Sequence, residues 1–248
     1  MNTGKSNGEL DGEKGSAARA VLRFVQSGMI VGLGSGSTAA HFITVLGDRL
    51  RRDGLRIEAV PSSLKIAAQA KQVGVPLVEP RRGLRLDLTV DGADEIAPDL
   101  GLIKGAGGAL MREKVLARAS RHFLVIADSS KLVSRLGARA VPVEVVPFAA
   151  PFVADQIAAM GAEPVLRLDP SDNAQPFLSD QNNYILDCKF QNLADPQLVA
   201  THLDEIPGLV DQGLFLGYAY AALVADGGGV LALRPGQPPI PAENLYLR

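Results

Sequence analysis

Four segments rich in glycine, serine, aspartate and lysine each follow a short apolar stretch, and this repeated order restricts the fold of the chain most strongly. They span 32–38, 90–95, 103–110 and 127–131. Apolar residues at helical spacing occupy the intervals between the stretches, which favours short strands alternating with helices. Such alternation is typical of a parallel sheet covered on both faces. Because parallel strands end at a common edge, we expect the four segments to converge there.

The alternation changes after about residue 136. From there to about residue 206 the pattern is strand, helix, strand, strand, helix, which predicts a compact insert with antiparallel pairing. The fold class is therefore α/β, with a mostly parallel, Rossmann-like sheet flanked by helices and a smaller α+β, ferredoxin-like domain. Strands near 214–216 and 230–233 are expected to return to the first sheet.

The expected domain boundaries follow from these changes of pattern. Residues 16–136 plus 207–242 form the predicted α/β catalytic domain, and residues 137–206 form the predicted insert. A first amphipathic helix is expected from 16 to 26, after a polar stretch, 1–15, that we interpret as a mobile tail. The last residues, 243–248, begin like an engineered cleavage linker and are treated as a second tail.

Composition excludes several function classes. The 248 residues carry 25 basic and 27 acidic side chains, so no excess positive charge favours a nucleic-acid backbone. The single cysteine, Cys188, precludes an intrachain disulfide and is expected in the core, and no histidine or cysteine has metal-ligand spacing. The polar first 15 residues do not resemble a signal peptide, and no apolar run reaches the ~20 residues of a membrane helix. These observations predict a cytoplasmic protein.

The first glycine-rich segment, 32–38, leads from a strand into a helix that begins with Ser37 and Thr38. Backbone N–H groups at such a helix start favour an anion. A P-loop would need lysine before Ser37, and a dinucleotide fingerprint would need G-x-G-x-x-G with an acidic residue after the next strand. A small phosphorylated or carboxylated ligand is thus favoured, although a tight turn with nothing bound remains an alternative. His41, one turn into this helix, is a weak candidate for a general base.

The other three segments supply charged side chains. Asp91 and Asp94 lie in one turn at a strand end, where two close carboxylates hold their pKa values apart or bind a cation or hydroxyls. Simple turn and capping roles are equally compatible with them. Lys104 opens the third segment, and Glu113 follows in the first turns of the next helix. Lys131 provides a further cation at the fourth strand end. Convergence of these four segments would be difficult to explain without a ligand.

Together these segments closely resemble ribose-5-phosphate isomerase type A, from about residue 16 to 235. The resemblance includes 177–180, which leads into 184–187, and 213–217. Three departures are visible. Ser35 stands where the family usually has threonine, Ala106 where it usually has glycine, and Gln181-Asn182 replaces an Asn-Gly turn. The first keeps a hydroxyl, the second adds a methyl group to a ligand loop, and the third lies outside the expected site.

The resemblance implies a metal-independent aldose–ketose isomerase of the pentose phosphate pathway, which interconverts D-ribose 5-phosphate and D-ribulose 5-phosphate through an enediolate. It implies that Glu113 is the base that moves a proton between C1 and C2 of the open-chain sugar. It also implies that Asp91, Asp94 and Lys104 carry out hydroxyl proton transfer and ring opening. Lys104 would in addition offset the negative charge of the enediolate. It implies no cofactor and a homodimer or homotetramer. The implied substrate-binding residues are Ser35, Gly36, Ser37, Thr38, Asp91, Gly92, Ala93, Asp94, Lys104, Gly105, Ala106, Gly107 and Lys131.

Three other functions remain open at this point. A sugar-phosphate-binding regulatory domain of the same fold would not turn over its ligand, but a basic helix-turn-helix is missing and Glu113 and Lys104 are retained. A related amino-sugar isomerase/deaminase would differ in its catalytic-loop motif. A metal-dependent hydride shift is weakened by the lack of clustered histidines, although a carboxylate-only metal site is compatible with the sequence.

Overall fold

A computed structural model of the chain describes residues 4–247. Its α-helices are α1 Asn7–Val21, α2 Gly36–Asp53, α3 Leu64–Gln72, α4 Leu110–Ala119, α5 Ala150–Ala159 and α6 Pro196–Asp204. Its strands are β1 Ile30–Leu33, β2 Glu58–Pro61, β3 Leu86–Asp91, β4 Glu95–Ile96, β5 Leu102–Ile103, β6 Ser120–Asp128, β7 Val141–Val145, β8 Ala162–Leu166, β9 Leu168–Asp169, β10 Asp172–Pro176, β11 Tyr184–Phe190, β12 Leu209–Gln212, β13 Leu214–Phe215, β14 Ala221–Ala225, β15 Val230–Arg234 and β16 Gln237–Pro241. Short 3-10 helices cover Leu22–Phe24, Ser129–Lys131, Pro147–Ala149 and Ala242–Asn244.

The main sheet has the order β16-β15-β14-β6-β3-β1-β2. The five strands from β14 to β2 run parallel, and β15 and β16 add an antiparallel edge. Buried apolar side chains from α1, α2 and α3 pack against the strands. The α/β fold with a mostly parallel sheet flanked by helices is therefore confirmed. The parallel strands follow the order 2-1-3 at β2, β1 and β3, which places a topological switch point between β1 and β3.

A second sheet has the order β12-β7-β11-β8, with antiparallel pairing throughout. Helices α5 and α6 pack on it through a separate cluster of buried residues that includes Val153, Ile157 and Leu203. The predicted α+β character and antiparallel pairing of the insert are confirmed. Strand β12 extends this sheet to Gln212, so the sheet continues past the boundary expected at 206.

One strand expected in the main sheet lies elsewhere. The prediction for 230–233 holds, because β15 pairs with β14. The prediction for 214–216 is wrong, because β13 pairs with β5 in a three-stranded sheet with β4. Strand β14, a continuous buried apolar run, takes the place beside β6 instead. As a result, β5 and the lysine that follows it are held next to Gly213.

The N-terminal segment is not a tail from Asn7 onward. Helix α1 begins there, and a capping box closes its first turn, with the Ser6 side chain accepting from the Glu9 N–H. Ala17, Ala18 and Val21 of α1 are fully buried. The mobile-tail prediction for 1–15 is therefore wrong from Asn7 to residue 15, and residues 1–3 lie outside the described part of the chain.

The C-terminal segment also packs on the main domain. Leu245 is buried in the main core and Leu247 packs against it. Arg23 donates a hydrogen bond to the carbonyl of Ala242, and the Tyr220 hydroxyl donates to the carbonyl of Tyr246. The treatment of 243–247 as a tail outside the fold is therefore wrong, and residue 248 is not described. In residues 4–247 no helix is long and apolar enough to cross a membrane.

Candidate active site

Strands β1 and β3 approach each other closely where both end. Gly34 follows β1, and a Cβ atom at this position would lie 2.0 Å from the Asp91 carboxyl carbon. Only glycine therefore lets the chain pass beside Asp91 without displacement. The N–H groups of Ser35 and Gly92 both donate to Asp91 Oδ1, at 2.9 and 2.7 Å. These contacts fix the carboxylate at the switch point of the sheet, where ligands of open α/β sheets bind.

Lys104 brings two carboxylates together beside this point. Its Nζ lies 2.8 Å from Asp91 Oδ2 and 3.1 Å from Glu113 Oε2, and it donates to the Gly92 carbonyl at 2.7 Å. All three side chains are at most 5% exposed. The two contacts with carboxylate oxygens are ion pairs without well-directed hydrogen bonds, since neither Asp91 Oδ2 nor Glu113 Oε2 has a hydrogen-bond partner among the described residues. One cation thus faces two buried anions.

Burial and the excess of carboxylates over lysine shift the pKa values of these side chains. Burial, and then repulsion from Asp91, raises the pKa of Glu113 from its ordinary value of 4.5 to about 7, against the attraction of Lys104. Burial also raises the pKa of Asp91, and Lys104 with the two N–H groups opposes that rise. Although burial alone would lower the pKa of Lys104, the two carboxylates raise it, so the lysine stays charged. The cluster therefore holds a carboxyl group that gains and loses a proton near neutral pH.

The first glycine-rich turn forms a site suited to binding an anion. Gly36 has φ +90°, a conformation that other residues rarely adopt, and α2 starts there without a side-chain cap. Its first N–H groups are consequently available to a ligand. The Ser35 hydroxyl lies 2.7 Å from that of Ser62 and 3.2 Å from that of Ser63. The two serines at the end of β2, which we did not predict, therefore orient this turn.

The third segment forms a tight turn between β5 and α4. Gly105 and Gly108 have φ +107° and +75°. The N–H of Ala106 donates to Asp94 Oδ2 at 3.0 Å, which ties the turn to the second segment. Glu113 enters the cluster from the first turn of α4, where its N–H donates to the Ala109 carbonyl. The turn and the helix start thus place the base candidate against Lys104.

The fourth segment carries Lys131 at the end of a short 3-10 helix that follows β6. The first residue of this 3-10 helix, Ser129, donates its N–H and its hydroxyl to the buried Glu13 carboxylate of α1. The Lys5 ammonium contacts the same carboxylate at 2.5 Å. Sequence reasoning missed Glu13 because its partner lies 116 residues away, and no local pattern marks such a contact.

The four segments line a single pocket. Its walls are formed by Ser35, Gly36, Ser37, Thr38, Gly92, Ala93, Asp94, Lys104, Gly105, Ala106, Gly107, Glu113 and Lys131. These are the residues predicted for the site, except Asp91. Asp91 is fully buried and lies behind Lys104. Its direct contact with a substrate therefore stays a prediction, while its contact with Lys104 is visible. Larger clefts elsewhere, such as that between α1 and the β14–β15 turn, lack this cluster of lysine and carboxylates.

Other residues considered in the sequence lie outside the pocket. His41 Nε2 contacts Asp11 Oδ1 at 3.0 Å on the surface. Cys188 is fully buried in the smaller sheet, and burial raises the pKa of its thiol to about 12. Within residues 4–247, no group of three or more histidine, cysteine, aspartate or glutamate side chains is arranged to hold a metal ion.

The fold and the pocket define a class: α/β proteins with an anion-binding turn and a buried carboxylate–lysine cluster at the switch point of a parallel sheet. Residues 58–229 match the family model of ribose 5-phosphate isomerase A (phosphoriboisomerase A). A relative from Gloeobacter violaceus, ribose-5-phosphate isomerase A, is 46% identical over 93% of this chain and 100% of its own. The chain belongs to the ribose 5-phosphate isomerase A family.

Solved structures agree with this assignment. The chain is similar to ribose 5-phosphate isomerase A from Methanocaldococcus jannaschii, with a TM-score of 0.87 and 37% identity over 92% of this chain and 100% of that one. It is also similar to a D-ribose-5-phosphate isomerase solved in complex with phospho-erythronic acid, with a TM-score of 0.88 and 35% identity over 91% and 99% of the two chains. Both likenesses span the main sheet and the insert.

Proposed function

We propose that the protein interconverts D-ribose 5-phosphate and D-ribulose 5-phosphate, as its family name implies, and that Glu113 is the base. The observation that carries this proposal is the contact of Lys104 with both Glu113 and Asp91 at the wall of the pocket. Proton abstraction beside a carbonyl needs a carboxylate near the carbon and a positive charge near the oxygen. Glu113 and Lys104 provide this pair side by side.

In the proposed reaction Glu113 removes the proton from C2 of the open-chain aldose. The electrons of the C–H bond form a C1–C2 double bond, and those of the C1 carbonyl move to O1. The O2 proton passes to O1, and Glu113 returns its proton to C1, which yields the ketose without a net gain or loss of atoms. A pKa of about 7 suits both proton transfers, because near neutral pH the carboxylate accepts the proton from C2 and the carboxylic acid donates it to C1.

The remaining pocket residues stabilise charge and move hydroxyl protons. Lys104 and the Gly107 N–H face the oxygen that gains charge. Asp94 lines the pocket and accepts from the Ala106 N–H. We assign it to ring opening and hydroxyl proton transfer. Asp91 holds Lys104 in position from behind and takes part in proton transfer through it.

The phosphate end of the substrate is assigned to the first turn. The uncapped start of α2 and the residues Ser35, Ser37, Thr38 and Lys131 all line the pocket. N–H groups, hydroxyls and a cation are the donors that a phosphate needs. The aldehyde end then lies toward Lys104 and Glu113.

The proposed reaction uses no metal or organic cofactor, since Lys104 supplies the cation. A non-catalytic sugar-phosphate sensor of the same fold is not favoured, because the family match and the buried, raised-pKa Glu113 both point to turnover. The decisive assay follows ketopentose phosphate formed from ribose 5-phosphate, with and without EDTA. Equal rates under both conditions are expected. Binding without turnover would favour the sensor, and a loss of rate in EDTA that added metal restores would refute metal independence.

We also propose that the protein acts in the cytoplasm as a homodimer or homotetramer built from two-domain subunits. Separate hydrophobic clusters on the main sheet and on the β12-β7-β11-β8 sheet support two domains, with α1 and the 243–247 segment in the first and β12 in the second. Phe148 and Phe152 on the insert are 85% and 61% exposed and form an apolar surface suited to self-association. Light scattering after gel filtration measures the state directly, and a monomer at micromolar concentration would contradict the proposal.

A further inference from the structure

One arginine of the insert reaches the catalytic turn of the main domain. Arg167 lies between β8 and β9, and its Nη1 donates to the carbonyls of Gly105 and Ala106, each at 3.0 Å. Its Nε and Nη2 donate to the two carboxylate oxygens of Asp187 at 2.9 and 2.5 Å. The guanidinium group also stacks 5.7 Å from the centre of the Phe177 ring. Hydrogen bonds from three nitrogens and one ring contact therefore hold this group, and the Arg167 side chain is only 14% exposed.

These bonds determine which way two consecutive peptide units point. A trans peptide is planar, so its N–H points opposite to its carbonyl. The Gly105 carbonyl turns toward Arg167, and the N–H of the same peptide, that of Ala106, points to Asp94 Oδ2 in the pocket. The Ala106 carbonyl also turns toward Arg167. By the same geometry, the N–H of Gly107 points to the pocket side.

The turn would have other conformations available without this clamp. Gly105, Gly107 and Gly108 restrict the backbone little. Gly108 leaves no space for a side chain, because a Cβ there would lie 2.3 Å from Phe177, the ring on which Arg167 stacks. Arg167 and Phe177 therefore close the outer side of the turn together. Lysine could not replace the arginine, since a single ammonium lacks the fork that holds the carboxylate and both carbonyls at once.

We infer that Arg167 is a positioning residue for the isomerase reaction: it fixes the 105–107 turn so that one N–H orients Asp94 and the next faces the oxygen that gains charge. The inference rests on the proposed function. Arg167 does not line the pocket and lies away from the Ser35–Thr38 turn, so it affects the reacting groups and leaves phosphate binding unchanged. A structural role alone would instead lower stability without a specific change in kcat.

The test compares kcat, KM and the thermal unfolding midpoint of Arg167→Ala and Arg167→Lys with those of the wild type. We expect kcat to fall at least tenfold in both and up to about 10²-fold in the alanine variant, since small displacements of catalytic groups cost this much. KM should stay within threefold. If Arg167→Ala does not fold, the lysine variant decides. A kcat within twofold of the wild type in either folded variant, or a change in KM alone, overturns the inference.

Two further measurements separate positioning from general damage. Added guanidinium should raise the kcat of Arg167→Ala severalfold and leave Glu113→Gln unchanged, and a failure of rescue counts against the inference. Asp187→Asn should add little to the kcat loss of Arg167→Ala, because Asp187 acts through the same guanidinium; additive losses would contradict this. The matched control is Arg234→Ala, which removes an arginine that stacks on Tyr220 from β15, in the antiparallel part of the main sheet. An inactive wild type would refute the proposed function instead.

Discussion

Two buried lysines lie against the same phenylalanine ring and have different surroundings. Lys104 Nζ is 5.4 Å and Lys114 Nζ is 5.0 Å from the centre of Phe215. Lys104 faces the two carboxylates of Asp91 and Glu113 at the wall of the pocket. Lys114 pairs with one carboxylate, that of Asp211, at 2.6 Å, and donates to the carbonyl of Gln212. Lys114 does not line the pocket.

The number of carboxylates explains the difference. One lysine with one carboxylate is a balanced pair, which here joins α4 to β12. One lysine with two carboxylates leaves a surplus negative charge in a buried place. Burial raises the pKa of Glu113 most, and repulsion from Asp91 adds to that rise. Burial also raises the pKa of Asp211, but no second carboxylate shares Lys114 at close contact. Glu113 and Lys114 are adjacent residues near the start of α4, yet one belongs to each cluster. We therefore expect reactivity at Glu113, the surplus carboxylate, and a structural role for the Lys114 pair.

The largest expected effect comes from removing the negative charge of Glu113, the surplus carboxylate of the Lys104 cluster. Glu113→Gln should lower kcat by about 10²–10⁴-fold, the contribution that a general base supplies. The amide keeps the size of the side chain, so the KM for ribose 5-phosphate should stay within threefold of the wild-type value. Steady-state kinetics measure both quantities. Retained turnover in Glu113→Gln would remove the catalytic distinction between the two clusters.

The next-largest difference between the two clusters is expected when the lysine of each is replaced. Lys104→Met is expected to lower kcat by about 10²–10³-fold, the usual cost of losing a charge that stabilises an oxyanion. It also leaves two buried carboxylates unpaired, so the pKa of Glu113 rises further and the remaining activity should increase from pH 7 to pH 9. The pH dependence of kcat/KM measures this shift.

Lys114→Met is the matched control for that change. It leaves Asp211 without its partner and should lower the free energy of unfolding by about 1–3 kcal/mol, because Asp211 is partly exposed and solvent screens the loss. Its kcat should stay within threefold of the wild type. Equal losses of kcat in the two lysine variants would show that the clusters do not differ in function.

Sequence reasoning predicted the pocket because its physical basis is local and topological. Three of the segments follow parallel strands of the main sheet, which end at one edge, so Ser35, Asp94 and Lys131 were expected together. The rule does not hold for the third segment, because β5 pairs antiparallel with β4 and β13 in a separate small sheet. Lys104 and Glu113 therefore reach the pocket from β5 and α4, which was not expected. The same rule applied to β2 would have added Ser62 and Ser63. The rule places residues only by the end of the strand that they follow, so the full burial of Asp91 behind Lys104 was not foreseen.

What was missed depends on contacts between distant parts of the chain. The residues from Asn7 to Gly15 are polar and glycine-rich, but the Ser6–Glu9 capping box marked the helix start. Burial of Glu13 needs Ser129, and the function proposed for Arg167 needs carbonyls 61 and 62 residues away. Strand β13 was assigned to the wrong sheet because a two-residue apolar strand carries no information about its partner.

The pH dependence of stability gives a smaller but more specific difference. The pKa of Glu113 is raised in the folded protein from 4.5 to about 7, so the folded state binds more protons than the unfolded state between these values. The stabilisation is complete below pH 4.5 and is lost as pH rises through 7, by about 3 kcal/mol for such a shift. Glu113→Gln cannot ionise. Relative to the wild type, its free energy of unfolding should therefore rise between pH 5 and pH 8, as measured by urea titration. A constant difference would show that the pKa of Glu113 is ordinary.

The smallest effect is expected from Asp211→Asn, the counterpart of Glu113→Gln in the balanced cluster. Burial raises the pKa of Asp211, and Lys114 opposes the rise. The amide oxygen of asparagine still accepts from Lys114, which also keeps the Gln212 carbonyl. We expect kcat to stay within twofold and the free energy of unfolding to change by about 1 kcal/mol or less, the usual worth of a partly exposed pair. Both are measured beside Glu113→Gln under identical conditions. A tenfold loss of kcat would mean that the Lys114 pair transmits its charge through Phe215 to the pocket, and the two lysines would then form one extended site.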